Sequence, residues 1–463
     1  MLKAAFMVPH PPLIVKEVGK GAEEQVSLTL ESYQQIAREI ADISPETIII
    51  SSPHTKLYNN YFHLMDSISL EGSFRSFGAA EVTFNELNDM ELLGKIDEIA
   101  KRYDFPTGIL NDNINELDHG TMVPLYFINK YLGDYKIIVI GISGLSYPEH
   151  YKMGKIIKEA IEELDRDVVY IASGDLSHVL QKDGPYGFLE EGPIYDKQII
   201  DVMSKGDFGK LLEFDPHFVD KAAVCGHPSF LMMAGVLDGL DVKSKFYSHE
   251  DITGVGYGIC SYYPIVENSD RLFLDKYLIK EEQRLINYYN NSDDYVLLAK
   301  NTIDNYIRNN QVIDIPDNID KELLTKKAGV FVSIHKFNEL RGCIGTIIST
   351  KDNIAEEIIN NAISASTKDN RFDPITEDEL KYLEINVDVL GEYEDVNSKD
   401  ELDVKRYGVI VSQEYKRGLL LPDIEGVDSI DEQLEIACHK GGIDPKSEYK
   451  IQRFEVIRHK GNI

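Results

Sequence analysis

Cysteine is scarce in this 463-residue chain: Cys225, Cys260, Cys343 and Cys438 lie far apart and form no CxxC pair. That spacing argues against a disulfide framework and against a structural zinc site. Long apolar runs are missing too, since no stretch approaches the roughly 20 apolar residues that span a bilayer. The opening run from Met1 to Val8 is too short for a secretory signal and is closed by Pro9 and His10. Basic charge is in short supply: 48 Lys and Arg stand against 79 Asp and Glu, giving a formal net charge of -31. The basic residues are scattered, so phosphate backbones and anionic surfaces are repelled. Neither nucleic acid nor membrane is expected as a partner, and a cytoplasmic location is expected. Internal repeats and low-complexity tracts are absent.

What is present is a globular composition, 43% hydrophobic and 27% charged, in a length that suits two or three domains. Up to about residue 265 strand and helix signals alternate. Apolar residues recur at helical spacing over 25–43, 90–103 and 151–164, and Ile/Val-rich runs at 47–52, 136–142 and 168–172 read as strands. Near-continuous apolar strands joined by amphipathic helices imply an α/β domain, its mostly parallel sheet covered by helices on both faces. A last strand over 254–263 closes it. Residues 266–290 are polar and charged and read as a connector with some helix. A smaller α+β domain over 291–463 follows, with a helix capped near Ser292 or Asp293 and a strand at 330–334.

Four histidines sit beside these apolar runs. His10 follows Phe6-Met7-Val8-Pro9, His54 follows Ile50-Ser51-Ser52-Pro53, and His178 follows Ser173-Gly174-Asp175-Leu176-Ser177. His119 precedes an apolar helix-like stretch. Loops beyond the carboxyl ends of parallel strands converge on one crevice, so these imidazoles can meet around one metal or one substrate. Two histidines plus one anionic ligand leave open positions suited to non-haem Fe(II), although imidazole does not select iron over zinc or copper. A further histidine can act as general base. His63, His150 and His217 stand in polar or mixed contexts and are expected at the surface. The glycines at 254, 256 and 258 lack the strand-to-helix setting of a phosphate loop and read as packing.

His10-Pro11-Pro12-Leu13-Ile14 with Gly19-Lys20-Gly21, then Ser51-Ser52-Pro53-His54, Asp118-His119-Gly120 and Ser173-Gly174-Asp175-Leu176-Ser177-His178, resemble in order the motifs of LigB-type class III extradiol ring-cleavage dioxygenases. The related Memo proteins share the pattern. The resemblance implies His10 and His54 as metal ligands and Fe(II) as the metal, with zinc or copper as alternatives. It implies His178 as the acid/base residue and His119 as the group that polarises oxygen or substrate. The dioxygenases place a glutamate ligand where this chain reads Ala222-Ala223-Val224-Cys225-Gly226-His227-Pro228. Memo-like proteins have a cysteine there, which makes Cys225 the candidate third ligand, or else a buried structural thiol. Glu250 or Asp175 could supply a carboxylate instead.

In the second domain Leu340-Arg341-Gly342-Cys343-Ile344-Gly345-Thr346 stands out: glycines allow close backbone approach, and Arg341 offers a planar donor fork. The heptad, with Arg371-Phe372-Asp373-Pro374 and Gly418-Leu419-Leu420-Leu421-Pro422, resembles the AMMECR-type domain. Arg341, Cys343 and Arg371 are its candidate site; the alternative is a tight turn at Gly342 and Gly345 with Cys343 in the core. Adjacent residues on a helix diverge, so Cys438-His439 is set aside. The two resemblances together imply the AmmeMemoRadiSam grouping, with a radical-SAM protein as partner. The expected activity is a metal-dependent oxidoreductase acting on an aromatic or unidentified small molecule. A metal-holding scaffold and a metal-dependent hydrolase are the alternatives.

Overall fold

The structure is a computed structural model that describes residues 1–110, 114–424 and 426–461. The chain divides into two units, Met1–Leu278 and Ile279–Ile463, and the division falls within the helix Phe273–Asn290. The expected connector is thus largely helical.

In the first unit the main sheet runs Lys136–Gly141, Thr47–Ser52, Val168–Ser173, Leu2–Val8, Tyr257–Glu267, Leu240–Glu250. The first four strands are parallel, and the last two join antiparallel. Every residue of Thr47–Ser52 and of Val168–Ser173 is buried. Successive side chains on a strand point to opposite faces, and the cores divide accordingly. Ala5, Met7, Ile49, Ile138 and Tyr170 face one hydrophobic core; Ala4, Phe6, Ile48, Ile50 and Ile171 face the other. Helices Met90–Arg102, Tyr147–Leu164 and His227–Val236 cover the first face, and Ser27–Ile43 and His119–Ile128 cover the second. The sheet is therefore mostly parallel and enclosed by helices on both sides.

Two expectations fail. His63 and His150 are 4% and 1% exposed, not surface residues. His150 lies on the inward face of Tyr147–Leu164, its Nδ1 donating to the Ser146 carbonyl at 3.0 Å and its Nε2 accepting from Ser143 N–H at 3.2 Å. Polar neighbours in sequence hid a histidine whose own hydrogen bonds are met inside. His217 is exposed.

The second unit has a six-stranded antiparallel sheet, ordered Glu339–Gly345, Val330–Lys336, Leu383–Val396, Lys450–His459, Gly408–Gln413, Lys416–Leu420. Helices Asp294–Asn309 and Ile354–Thr367 pack on one face, and Ile430–Gly441 packs with a separate cluster around Val409, Val411 and Leu434. Asp293 caps the first of these helices, accepting from Tyr295 and Val296 N–H. Gly342 and Gly345 lie on a strand and form no turn. A Cβ on Gly342 would meet the Ala365 carbonyl at 2.4 Å, and one on Gly345 would enter the Phe331 ring at 2.2 Å.

Helices Tyr147–Leu164 and His227–Val236 touch through glycine. A Cβ on Gly154 would stand 2.0 Å from the Met232 carbonyl, and one on Gly235 would stand 2.0 Å from the Tyr151 carbonyl. A Cβ on Gly94, in the helix Met90–Arg102, would meet nothing within 4 Å. Gly154→Ala is therefore expected to destabilise the fold by about 1–3 kcal/mol despite better helix propensity, and Gly94→Ala to stabilise it by about 0.5–1 kcal/mol. Urea unfolding of both variants checks the pair; equal shifts of one sign would contradict the packing described.

Candidate functional site

Three adjacent strands deliver the site. Thr47–Ser52, Val168–Ser173 and Leu2–Val8 are neighbours in the sheet, and His54, the 175–178 loop and His10 leave their carboxyl ends. His119 is the first residue of the helix His119–Ile128, whose cap Asp118 accepts from Thr121 N–H at 3.2 Å and from Ser52 Oγ at 2.6 Å. That shared carboxylate ties the helix start to the strand bearing His54. Glycine then lets the pieces close in. A Cβ on Gly120 would meet Ser52 Oγ at 2.4 Å, and one on Gly174 would meet Gly226 Cα at 2.2 Å.

Ligand nitrogens of His10, His54 and His119 all lie within 4.8 Å of one another. Nε2 of His54 is 3.0 Å from Nε2 of His10. Two imidazole nitrogens bound at right angles to one ion at 2.0–2.1 Å stand roughly 3 Å apart, so this separation fits a shared metal. The His54 and His119 rings stack at 4.1 Å between centroids.

The second nitrogen of His10 fixes its tautomer. Ser173 Oγ donates to the Gly120 carbonyl at 2.5 Å, so it accepts from His10 Nδ1–H at 2.9 Å. Nε2 of His10 therefore carries a lone pair aimed at His54. Burial holds the pKa of His10 well below the usual imidazole value, and the neighbouring His54, His119 and His178 lower it further. His54 is lowered to about 4, by burial first and His119 next, with Asp118 acting the other way. Burial lowers His119 too. All three are neutral near pH 7, the form that binds metal.

Asp175 and Cys225 approach the same His10. Asp175 Oδ1 accepts from His10 N–H at 2.7 Å, and Oδ2 lies 3.9 Å from His10 Nε2. Burial pushes the Asp175 carboxyl up to about 7. Cys225 Sγ is 3.6 Å from His10 Nε2 and accepts from Asp175 N–H at 3.3 Å. Burial and the nearby Asp175 keep its thiol well above the usual range. Glu250 lies elsewhere, accepting from Thr29 N–H and Oγ1 at 2.6 and 2.7 Å.

His178 donates from Nδ1 to the Ala223 carbonyl at 2.6 Å, which leaves its Nε2 as a base. Ala223 holds a left-handed φ of 52°, a conformation a non-glycine residue adopts at a cost of about 1 kcal/mol, and so aims that carbonyl. Two aromatic rings flank the imidazoles: Phe77 stands 5.5 Å from His119 and Tyr186 stands 5.3 Å from His178. Neither was singled out in the sequence, because each lies in a segment with no motif. Ser173 and Asp118 lay inside the quoted motifs, where a hydroxyl before Gly-Asp and a cap before His were the available signals.

The second-unit residues part company. Arg341 grips Glu379 with Nε and Nη2, both at 2.9 Å, and donates from Nη1 to the Asp373 carbonyl at 2.8 Å. Its guanidinium is committed to the fold. Cys343 and Arg371 adjoin, Arg371 Nη2 donating to the Cys343 carbonyl at 3.2 Å.

Residues 4–260 match the family described as the catalytic LigB subunit of aromatic ring-opening dioxygenase, and residues 296–459 match AMMECR1. A Clostridium acetobutylicum protein is 41% identical over 99% of this chain and 99% of its own length. A Thermotoga maritima protein is 49% identical over 36% of this chain and 97% of its own. Among solved structures, an uncharacterised Pyrococcus horikoshii protein covers 36% of this chain and 89% of its own at 30% identity and a TM-score of 0.34. An uncharacterised Escherichia coli protein covers 56% of this chain and 99% of its own at 13% identity and a TM-score of 0.40. Among the described residues no helix is long and apolar enough to cross a membrane.

Neutral buried imidazoles leave a signature in stability. His150 and His227 are held at about 4 by burial, against 6.5 unfolded. The folded chain stays neutral where the unfolded chain takes up protons, so their stabilisation is complete above about pH 6.5 and is lost as pH falls toward 4. Each contributes a slope of roughly 1.4 kcal/mol per pH unit. Asp175 works in the opposite sense, gaining stability as pH falls from about 7. Urea unfolding of metal-free protein at pH 7 and pH 5 is expected to show the lower stability at pH 5; a flat profile would contradict the neutral imidazoles.

Proposed function

Because the chain belongs to the LigB family through residues 4–260 and carries an AMMECR1 domain over residues 296–459, we propose that its first unit is a metal-dependent oxidoreductase related to extradiol dioxygenases. Its substrate is an aromatic diol or a related small molecule. The observation that carries this reading is the 3.0 Å approach of His10 and His54 Nε2, with His119 in the same group. Without a cation, one of the two nitrogens has to hold a proton pointed at the other. A metal ion held by both rings would remove the need for that proton.

The residues present suit such an ion. His10, His54 and His119 would hold it, and Cys225 or Asp175, both beside His10 Nε2, would add the anionic member. Fe(II) is the metal proposed, with zinc or copper as alternatives. When bound, it supplies Lewis acidity and open positions for substrate and oxygen. His178 takes the proton of a substrate hydroxyl at Nε2, and the Ala223 carbonyl keeps that nitrogen unprotonated beforehand. Ser173 keeps the His10 ring in its metal-binding tautomer. Phe77 and Tyr186 offer apolar edges beside the imidazoles.

A second reading, a Memo-like metal-holding scaffold working with a radical-SAM partner, draws support from one feature. Cys225 stands where a carboxylate would be expected, and Glu250 is occupied with Thr29. A metal-dependent hydrolase is the third reading.

Metal analysis of anaerobically purified protein is expected to find about one ion per chain, lost in His10→Ala and His54→Ala. Ser173→Ala is expected to keep the fold and weaken metal binding by roughly 10–100-fold. Wild-type affinity in Ser173→Ala would remove the tautomer argument. Catechol added to the Fe(II) form should consume oxygen and give a yellow ring-opened product, with His178→Ala keeping the metal and losing turnover. Bound metal with neither oxygen uptake nor hydrolysis would favour the scaffold.

A further inference from the structure

The loop that carries His178 is tied down along one side by backbone bonds. Leu176 N–H donates to the Gly256 carbonyl at 2.9 Å, Gly256 N–H to the Ser177 carbonyl at 2.8 Å, and Leu180 N–H to the Gly254 carbonyl at 3.3 Å. Ser177 N–H, on the residue before His178, finds its acceptor on another element: Asp196 Oδ1 at 2.9 Å. Asp196 belongs to the helix Glu191–Lys205 and is 3% exposed. A Cβ on Gly256 would stand 2.0 Å from Asp196 Oδ2, so glycine there makes room for the carboxylate.

A carboxylate withdrawn from water needs donors for its oxygens. The second oxygen, Oδ2, accepts from His249 Nε2 at 2.7 Å. His249 lies on the edge strand Leu240–Glu250, and its side chain keeps 28% of its surface in solvent. Burial acts to lower the His249 imidazole, but the Asp196 bond and the charges of Asp196, Asp251 and Glu250 carry it above its ordinary value. Burial raises the Asp196 carboxyl, and the bonds from His249 and Ser177 oppose that. A solvent-touching imidazole thus holds a buried carboxylate, and the carboxylate holds the backbone one residue before the base. The His178 ring itself donates to the Ala223 carbonyl, which a left-handed residue supplies from a separate segment. That bond needs both segments to keep their places.

We propose that Asp196 and His249 are positioning residues for His178, a role that rests on the reading of His178 as the base. Acting through Ser177, they hold the ring where Nδ1–H meets the Ala223 carbonyl and Nε2 keeps its lone pair. A neutral imidazole released from that carbonyl can carry its proton on either nitrogen, and only the Nδ1–H form leaves Nε2 as a base. Burial lowers the His178 imidazole. The ring is therefore neutral near pH 7, and what the pair controls is its tautomer.

Nitrogen NMR of the full-length, metal-free protein with isotope-labelled histidine reads that tautomer at pH 7, the His178 signals being those missing from His178→Ala. The wild-type chain is expected to show His178 protonated at Nδ1. His249→Ala should keep the circular dichroism and the metal content of the wild type while much of the His178 signal moves to the Nε2–H form. With catechol and the Fe(II) form, its kcat should fall roughly ten-fold at nearly constant KM. His249→Gln, whose side-chain amide can donate to the same Asp196 oxygen, should restore both the tautomer and kcat. An unchanged tautomer in His249→Ala, its loss of fold, or a His249→Gln variant as impaired as His249→Ala would each overturn the positioning role. If no form consumes oxygen, the proposed oxidation falls, and the tautomers of the two variants decide the role of the pair by themselves.

Discussion

Three imidazoles crowded within 4.8 Å of one another cannot all be protonated, and burial makes even one charge costly. Burial first, and the neighbouring imidazoles after it at His10 and His54, hold the rings of this cluster neutral. The surrounding structure serves the same end: Ser173 fixes His10, Asp118 ties the His119 helix to the His54 strand, and the Ala223 carbonyl fixes His178. The sheet makes the crowding feasible, since three adjacent parallel strands end side by side. Gly120, Gly174 and Gly226 then remove the side chains that would keep the loops apart.

The strands were the most legible part of the chain. Residues 47–52 form the strand Thr47–Ser52, and 168–172 lie within Val168–Ser173, because a strand buried on both faces has to be apolar almost throughout. Helix starts were harder. The helix expected from residue 151 begins at Tyr147, where Ser146 and Glu149 form a capping box and Pro148 opens the first turn. That signal was in the sequence and is local. The hairpin of Ser69–Phe74 and Ala79–Leu87 escaped notice because its partly exposed strands carry no steady alternation. For the site, strand-end position pointed to His10, His54 and His178, while His119 joined them by a helix start rather than a strand end. Nothing in the order of residues showed that Arg341 would be taken by Glu379, since that depends on a contact between distant segments.

The two units handle charge in contrasting ways. In the first, buried groups shed charge: imidazoles stay unprotonated, and Asp175 is raised toward neutrality. In the second, buried carboxylates keep it, Glu379 and Asp369 being held near 2 with guanidinium partners within hydrogen-bond reach. A neutral cluster of lone-pair donors suits an incoming cation, whereas the paired network of the second unit is already balanced within itself.

The proposed metal centre needs His10, His54 and His119 to hold one ion between them. Crystals of protein purified without oxygen, measured on both sides of the iron absorption edge, test it most directly. One anomalous peak is expected roughly 2.0–2.3 Å from Nε2 of His10, from Nε2 of His54 and from a ring nitrogen of His119. An empty map between those rings in iron-replete protein, or a peak bound by other residues, would contradict it.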